Sequence, residues 1–165
     1  KMTNYEQMKE ILLAFADDYN RKTCIEAKIS DVSEDKAETV RTGVPKYVYE
    51  KNRQDMDIID MDEIAHNIYR LVRFPDSKKE SDSLASSDAF VISSENIWYF
   101  IEFKNQQIAK AKESVTKKAY QNWYWLVDIL YEMWEKNEMQ YDTFNYENPI
   151  TFAKENVVLM LYHKS

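Results

Sequence analysis

Asp88 and the triplet Glu102-Phe103-Lys104 are the residues whose types and spacing could do chemistry in this chain. Asp88 opens an apolar run, Ala89 to Ile92, and a polar turn separates it from a second run, Ile97 to Ile101, that leads into Glu102. Two apolar runs joined by a short polar turn read as a hairpin of strands. Both carboxylates and the Lys104 ammonium then come to neighbouring strand ends. Lys104 lies two residues beyond Glu102, so on a strand the two side chains share a face. Such a group suits a hard divalent cation and a phosphate, because Mg²⁺ takes one or two protein carboxylates and keeps several waters. An ammonium beside that ion can hold the water that attacks a phosphodiester.

The triplet by itself is common. Glu-x-Lys recurs at Glu26-Ala27-Lys28 and at Glu34-Asp35-Lys36. The second lies in a polar stretch, Asp31 to Glu38, which reads as a solvated face or loop. Glu26 is the closer competitor, since Thr23 to Ile29 suits a short strand, but its nearest upstream acids, Asp17 and Asp18, end a helix. Taken alone, Glu102 and Lys104 would also fit an exposed pair at a strand edge, worth little to stability. The hairpin before them and a long helix after them favour the chemical reading.

The elements that must position these residues follow from periodicity. Residues 3–21 read as an amphipathic helix with Thr3 as N-cap and Met8, Leu12, Phe15 and Tyr19 on one face. From Thr23 to Asn52, short β-prone pieces at 24–29 and 47–49 flank the turn at Thr42-Gly43-Val44-Pro45, consistent with an extra hairpin or an extension. A second helix begins near Asp60 or Asp62, carries Ile64, Ile68, Leu71 and Val72, and ends before Pro75. Residues 76–87 have the composition of an exposed loop. A long helix runs from about 108 to 135, with Val115, Ala119, Trp123, Leu126, Val127, Leu130 and Trp134 as its buried face. That puts Trp123 and Trp134 in the core and leaves Trp125 off the stripe, free to be exposed. Val157 to Leu161 is a continuous apolar run that suits a strand buried on both faces.

This order, a helix, a hairpin carrying the acids, a long helix and a buried strand, resembles the PD-(D/E)xK nuclease superfamily over residues 60–162. The resemblance implies an α/β fold with a restriction-endonuclease-like αβββαβ core, a central mixed sheet flanked by helices. Residues 1–55 would then be an N-terminal helix and hairpin extension, and 1–165 a single domain. The first of the three strands should precede Asp88, where only the polar stretch at 81–87 is available. Asp88 and Glu102 would bind Mg²⁺ or Mn²⁺, and Lys104 would position the attacking water or neutralise the transition state. Glu63, opening the second helix, would complete the metal site; equally, Asp62 or Glu63 caps that helix, since acids in a first turn offset its dipole. Lys117, Lys118 and Gln121 match positions that contact substrate phosphate in family members, although two lysines on a helix also fit a solvated face. The expected activity is hydrolysis of phosphodiester bonds by a metal-activated water, DNA ahead of RNA.

Glu63-Ile64-Ala65-His66 also spells Glu-x-x-His, but a di-iron bundle needs two such motifs, and His66 reads as a partly buried helix residue. The aromatics from Tyr120 to Trp134 invite a base-stacking reading, which helical spacing disfavours for Trp123 and Trp134.

Composition removes several other classes. The chain's 165 residues suit one domain, and 44% hydrophobic content argues for a folded core. A single glycine, Gly43, excludes a glycine-rich phosphate loop or dinucleotide fingerprint. Cys24 is the only cysteine, so no internal disulfide forms, and two histidines, His66 and His163, are too few for a dedicated zinc site unless carboxylates complete it. No apolar run approaches bilayer length, and a polar N-terminus makes cytoplasmic the default expectation. A net charge of −7 cuts against a simple nucleic-acid binder. Yet five lysines, at 104, 110, 112, 117 and 118, sit beside the candidate site against one acid, Glu113. The competing expectation is a non-catalytic interaction module, either an acidic inhibitor or immunity partner or an inactive nuclease fold. A protein partner or a second copy of the chain stays open in both readings.

Overall fold

The computed structural model describes residues 1–49, 55–76, 85–104 and 108–163, the side chains of residues 108–111 excepted. Most of the loop read at 76–87, and of the strand sought at 81–87, lies outside the described residues, as does the Lys110 side chain.

Local sequence rules set the first helix. In α1 (Asn4–Asp18), Thr3 caps the N-terminus and Glu6 reaches back to the Thr3 backbone, a reciprocal capping box. Its face of Met8, Ile11, Leu12, Phe15 and Ala16 is buried, so what reads from sequence as an N-terminal extension supplies part of the main core. The hairpin expected at 23–52 is replaced by other pairings. β1 (Glu26–Lys28) is followed by two short helices, α2 (Ile29–Val32) and α3 (Lys36–Thr42), and pairs antiparallel with β2 (Asp57–Asp60), far along the chain. Gly43 ends α3 in the left-handed region (φ 69°), where a Cβ would be strained. Glu34 and Tyr47 form only an isolated bridge.

The second helix, α4 (residues 61–73), starts where expected. Asp60 is its N-cap, accepting from the Glu63 N–H at 3.0 Å. Its middle, Ile64–Tyr69, is wound as a π-helix between the α-helical ends Met61–Glu63 and Arg70–Arg73. Such turns are rare and gather at functional sites. The strand sought before Asp88 is found on the other side of this helix: β2 pairs with β3 (Ala89–Ile92).

β3 and β4 (Trp98–Lys104) form the expected hairpin, in the register Ala89↔Ile101 to Ile92↔Trp98. α5 (Ile108–Asn137) and α6 (Pro149–Asn156) then carry the chain to β5 (Val157–His163), which lies parallel to β4. The five strands form one mixed sheet in the order β1-β2-β3-β4-β5. Side chains of even number on β4 face a core built with α1, α4 and α5, while Ile101 and Phe103 join a smaller cluster on the other face.

Two expectations are corrected here. β5 is an edge strand rather than a strand buried on both faces: Val158, Leu159 and Met160 are each 38–39% exposed. Its apolar run packs at its ends, Val157 on the main core and Tyr162 against Phe103 on the other face. The buried face of α5 keeps Val115, Leu126 and Leu130 of the expected stripe but extends to the side away from Trp123 and Trp134. Asn122, Trp125, Ile129 and Met133 are buried, whereas Trp134 is 39% exposed and Trp123 only half-buried. Trp125 is fully buried, not exposed. The inward face carries polar Lys118 and Asn122, so a reading guided by aromatic weight slides to the neighbouring side. Trp134 instead stacks on Tyr146, ring centroids 4.6 Å apart.

Candidate functional site

Continuing the β3/β4 register one step sets Asp88 across from Glu102, which places both side chains on the sheet face covered by α5. The Asp88 N–H donates to the Ile101 carbonyl at 3.0 Å, and the Asp88 carboxylate accepts from the Phe103 N–H at 2.7 Å. The strand lead-in before Asp88 is fastened to α5. Asn122, wholly buried, accepts from the Ser87 N–H (3.2 Å) and donates to the Ser87 hydroxyl (2.5 Å), and Gln121 accepts from the Ala85 N–H at 2.6 Å. Replacing Asn122 with alanine removes both bonds to Ser87 and leaves buried backbone unpaired. We expect a loss of about 2–3 kcal/mol in urea unfolding and faster amide exchange at residues 87–88, with the α1 core unaffected.

Glu102 is 1% exposed and sits on an interior strand, which removes the reading of an exposed pair at a strand edge. Two ammonium groups converge on one of its oxygens, Lys104 Nζ at 2.8 Å and Lys118 Nζ at 2.6 Å from Oε1. The other oxygen, Oε2, is buried and accepts no hydrogen bond among the described residues. Burial opposes the Lys118 charge, but the hydrogen bond to Glu102 and the nearby charges of Glu102, Asp88 and Asp62 together outweigh it and hold that ammonium above the usual lysine range. Asp88 moves the other way from an ordinary carboxylate. Burial first, and then the neighbouring Glu102 charge, push it up to about 7.

These residues fit a hard divalent cation. A wholly buried carboxylate oxygen without a donor is costly, and the repulsion that Glu102 exerts on the Asp88 charge is relieved by a bound cation. Among the described residues no group of three or more His, Cys, Asp or Glu side chains is arranged to hold a metal. Asp88 and Glu102 would therefore act as a two-carboxylate set with water completing the shell, a pattern that Mg²⁺ favours.

The other sequence candidates fall in different places. Glu63 is half-buried, engaged by Thr23 and by Asn67 (2.6 Å), and lines a neighbouring cleft with Asp62 and Asp88. Asp62, one residue earlier, bonds the Ser86 hydroxyl and adds to the charge around Asp88. It lines the same cleft of about 450 Å³ as Asp88, Glu102, Lys104 and Lys118. Lys118 and Gln121 hold Glu102 and the Asp88 lead-in respectively, and Lys117 is exposed. His66 is partly exposed, 3.8 Å from Asp62.

The competing Glu-x-Lys triplets also resolve. Glu26 accepts from Tyr5 (2.9 Å) and Lys9 (3.1 Å), and Lys28 pairs with Asp57 (2.6 Å), a structural arrangement on the sheet edge. Glu34, Asp35 and Lys36, read as a solvated stretch, instead line the cleft opposite Glu102. Only their polarity was visible in sequence. What brings them to the site is the docking of residues 29–48 on the sheet. No helix among the described residues is long and apolar enough to cross a membrane.

No family model matches the sequence, and neither the comparison with curated proteins nor that with solved structures gives a match.

Proposed function

We propose that this chain is a metal-dependent nuclease of the PD-(D/E)xK kind, hydrolysing phosphodiester bonds in nucleic acid, DNA ahead of RNA. The observation that carries the reading is the meeting of Asp88, Glu102 and Lys104 at adjacent strand ends, with one Glu102 oxygen buried and unpaired among the described residues. The sheet supports it in part: an antiparallel run from β2 to β4 is joined through α5 and α6 to a parallel β5, although β2 precedes α4 where the implied αβββαβ order has all three strands after the helix.

In hydrolysis the oxygen of a water bonds to phosphorus, the bond to one ester oxygen breaks, and the departing oxygen leaves with a proton. What a bound Mg²⁺ or Mn²⁺ supplies in such a site is a more acidic water and neutralisation of charge on the phosphate. Asp88 and Glu102 would hold it. Lys118 fixes Glu102 through Oε1, which leaves Oε2 available. Lys104, ion-paired with Glu102, acts as a cation rather than as a base. It donates to the attacking water or to a phosphate oxygen and offsets the charge that builds in the transition state.

The test is cleavage of single-stranded and duplex DNA and of RNA with Mg²⁺, Mn²⁺ or chelator. Wild type should cut one of them only with metal, and Lys104→Ala should lower kcat about a hundredfold or more. Equal inertness of wild type and Lys104→Ala on all three, under both metals, would remove the enzyme reading.

A further inference from the structure

The two edges of the sheet are built differently. β1 is three residues long, two of them charged, and both charges are engaged: Glu26 by Tyr5 and Lys9 of α1, Lys28 by Asp57. A short, charged edge discourages another strand from pairing with it. β5 has neither feature. It runs for seven residues, and its sequence, Val-Val-Leu-Met-Leu-Tyr-His, holds no proline, acid or lysine. Its register with β4 goes residue for residue from Trp98↔Val157 to Lys104↔His163, so no bulge turns it away from a neighbour.

The free side of this strand offers two things at once. Along an edge, alternate residues turn their N–H and C=O groups away from the sheet. On β5 these groups meet no backbone partner among the described residues. Beside that row, the side chains of Val158, Leu159 and Met160 are exposed on both faces of the sheet. A row of main-chain donors and acceptors is matched by an extended chain, not by a helix. The lack of charge along the strand points away from a partner recognised through ion pairs, nucleic acid included.

A second copy of β5 meets both requirements. Two identical edges pair antiparallel about a twofold axis, which closes the assembly at two chains. An axis normal to the sheet keeps each side chain on its own face, and the register that uses the whole strand is centred on Met160. It sets Leu159 against Leu161 on the α5 face. On the other face it sets Val158 against Tyr162, and Met160 against its own copy. All of these are apolar cross-strand pairs, which stabilise an antiparallel ladder. A charge of −7 on each chain opposes association in general, but the charges that precede β5, Lys154 and Glu155, cancel.

We propose that the chain forms a homodimer through β5, joining two five-stranded sheets into one continuous sheet. The dimer is independent of the nuclease reading, and its test reads no cleavage.

The experiment is sedimentation equilibrium between about 1 and 100 µM. Wild type should show a reversible dimer. Met160→Lys and Met160→Glu should each raise the dissociation constant at least tenfold, because the axis sets like charges against each other. An equimolar mixture of the two variants should restore the dimer as a mixed pair. Urea midpoints report whether both variants fold. A second measurement needs no variant: amide exchange in wild type should slow with rising concentration at alternate residues of 157–163. A wild-type monomer at about 100 µM, a dimer indifferent to both substitutions, or a mixture no tighter than either variant alone would overturn the proposal. So would β5 amides whose exchange does not change with concentration.

Discussion

An Asp88→Asn protein is expected to lose cleavage by about a thousandfold or more and yet to be more stable than its parent at pH 8. The activity loss follows from removing one of two carboxylates at the metal, since charge stabilisation by a bound ion is worth several kcal/mol. The stability gain follows from the cost of that carboxylate when no metal is present. Burial and the Glu102 charge raise the Asp88 pKa to about 7 from an ordinary 3.8. Folding therefore favours the protonated form. The stability that its proton brings is fully present below pH 4 and is lost as pH rises to 7. At about 1.4 kcal/mol per pH unit, the ionised group costs up to about 4 kcal/mol above pH 7. An amide has nearly the same shape, carries no charge and keeps an oxygen for the Phe103 N–H. Metal-free urea unfolding of both proteins from pH 4 to pH 9 should show no gap at the acid end. The gap should widen between pH 4 and pH 7 and stay level above, at roughly 2 kcal/mol after local relaxation. Addition of Mg²⁺ should stabilise the parent and not the variant. A variant less stable than its parent at pH 8 would show that Asp88 is not held against its charge.

Trp98→Ala is expected to cost about 4 kcal/mol, the range for a fully buried large aromatic. Trp98 is 0% exposed and forms the hub of the aromatic core. Its ring lies 4.9 Å from Phe152, 5.5 Å from Tyr141 and 5.6 Å from Phe90, centroid to centroid. It begins β4, pairs with Ile92 on one side and Val157 on the other, and so ties the hairpin to β5 and to the α6 helix that precedes it. A domain of this size is stable by about 5–15 kcal/mol, so the variant should unfold at much lower urea, with Trp98→Phe intermediate. A change under 1 kcal/mol for alanine would mean that the ring cluster is loosely packed. Because Glu102 is four residues further along the same strand, loss of this anchor should also weaken the metal site, detectable as reduced Mn²⁺ affinity under conditions where the variant stays folded.

Several parts of this molecule are written locally in the chain. The Thr3–Glu6 capping box and the spacing of Met8, Leu12 and Phe15 are enough to place α1, because helix caps and periodicity act over a few residues. The hairpin is equally local. Four residues of one strand, a short turn and seven of the next suffice to set Asp88 opposite Glu102 and to put Lys104 on the same face. The choice between Asp62 and Glu63 was less accessible. Both open the same helix, and only its packing angle sets Asp62 towards Asp88 while Glu63 meets Thr23 and Asn67.

What only the tertiary structure decided involves partners far apart in sequence. β1 pairs with β2 across some thirty residues, and part of that connection, Glu34 to Ala37 and Val48, lines the cleft that holds the site, although its composition reads as a solvated loop. The extension of the buried face of α5 was hidden because Lys118 and Asn122 count as polar yet point inward. Their partners, Glu102 and Ser87, are known only once the helix is docked. β5 carries a fully apolar run whether it sits inside the sheet or at its edge, since hydropathy records what a strand can bury and not which neighbours arrive to bury it. By itself, then, the sequence determined Asp88, Glu102 and Lys104 as a set, because adjacent strands and a two-residue step bring them together. The fold decided that Glu102 is buried under two lysines with one oxygen unpaired among the described residues, and that the set lines a cleft shared with Glu34 to Ala37. Burial and enclosure depend on every element that packs around a site, and no short stretch of chain contains that information.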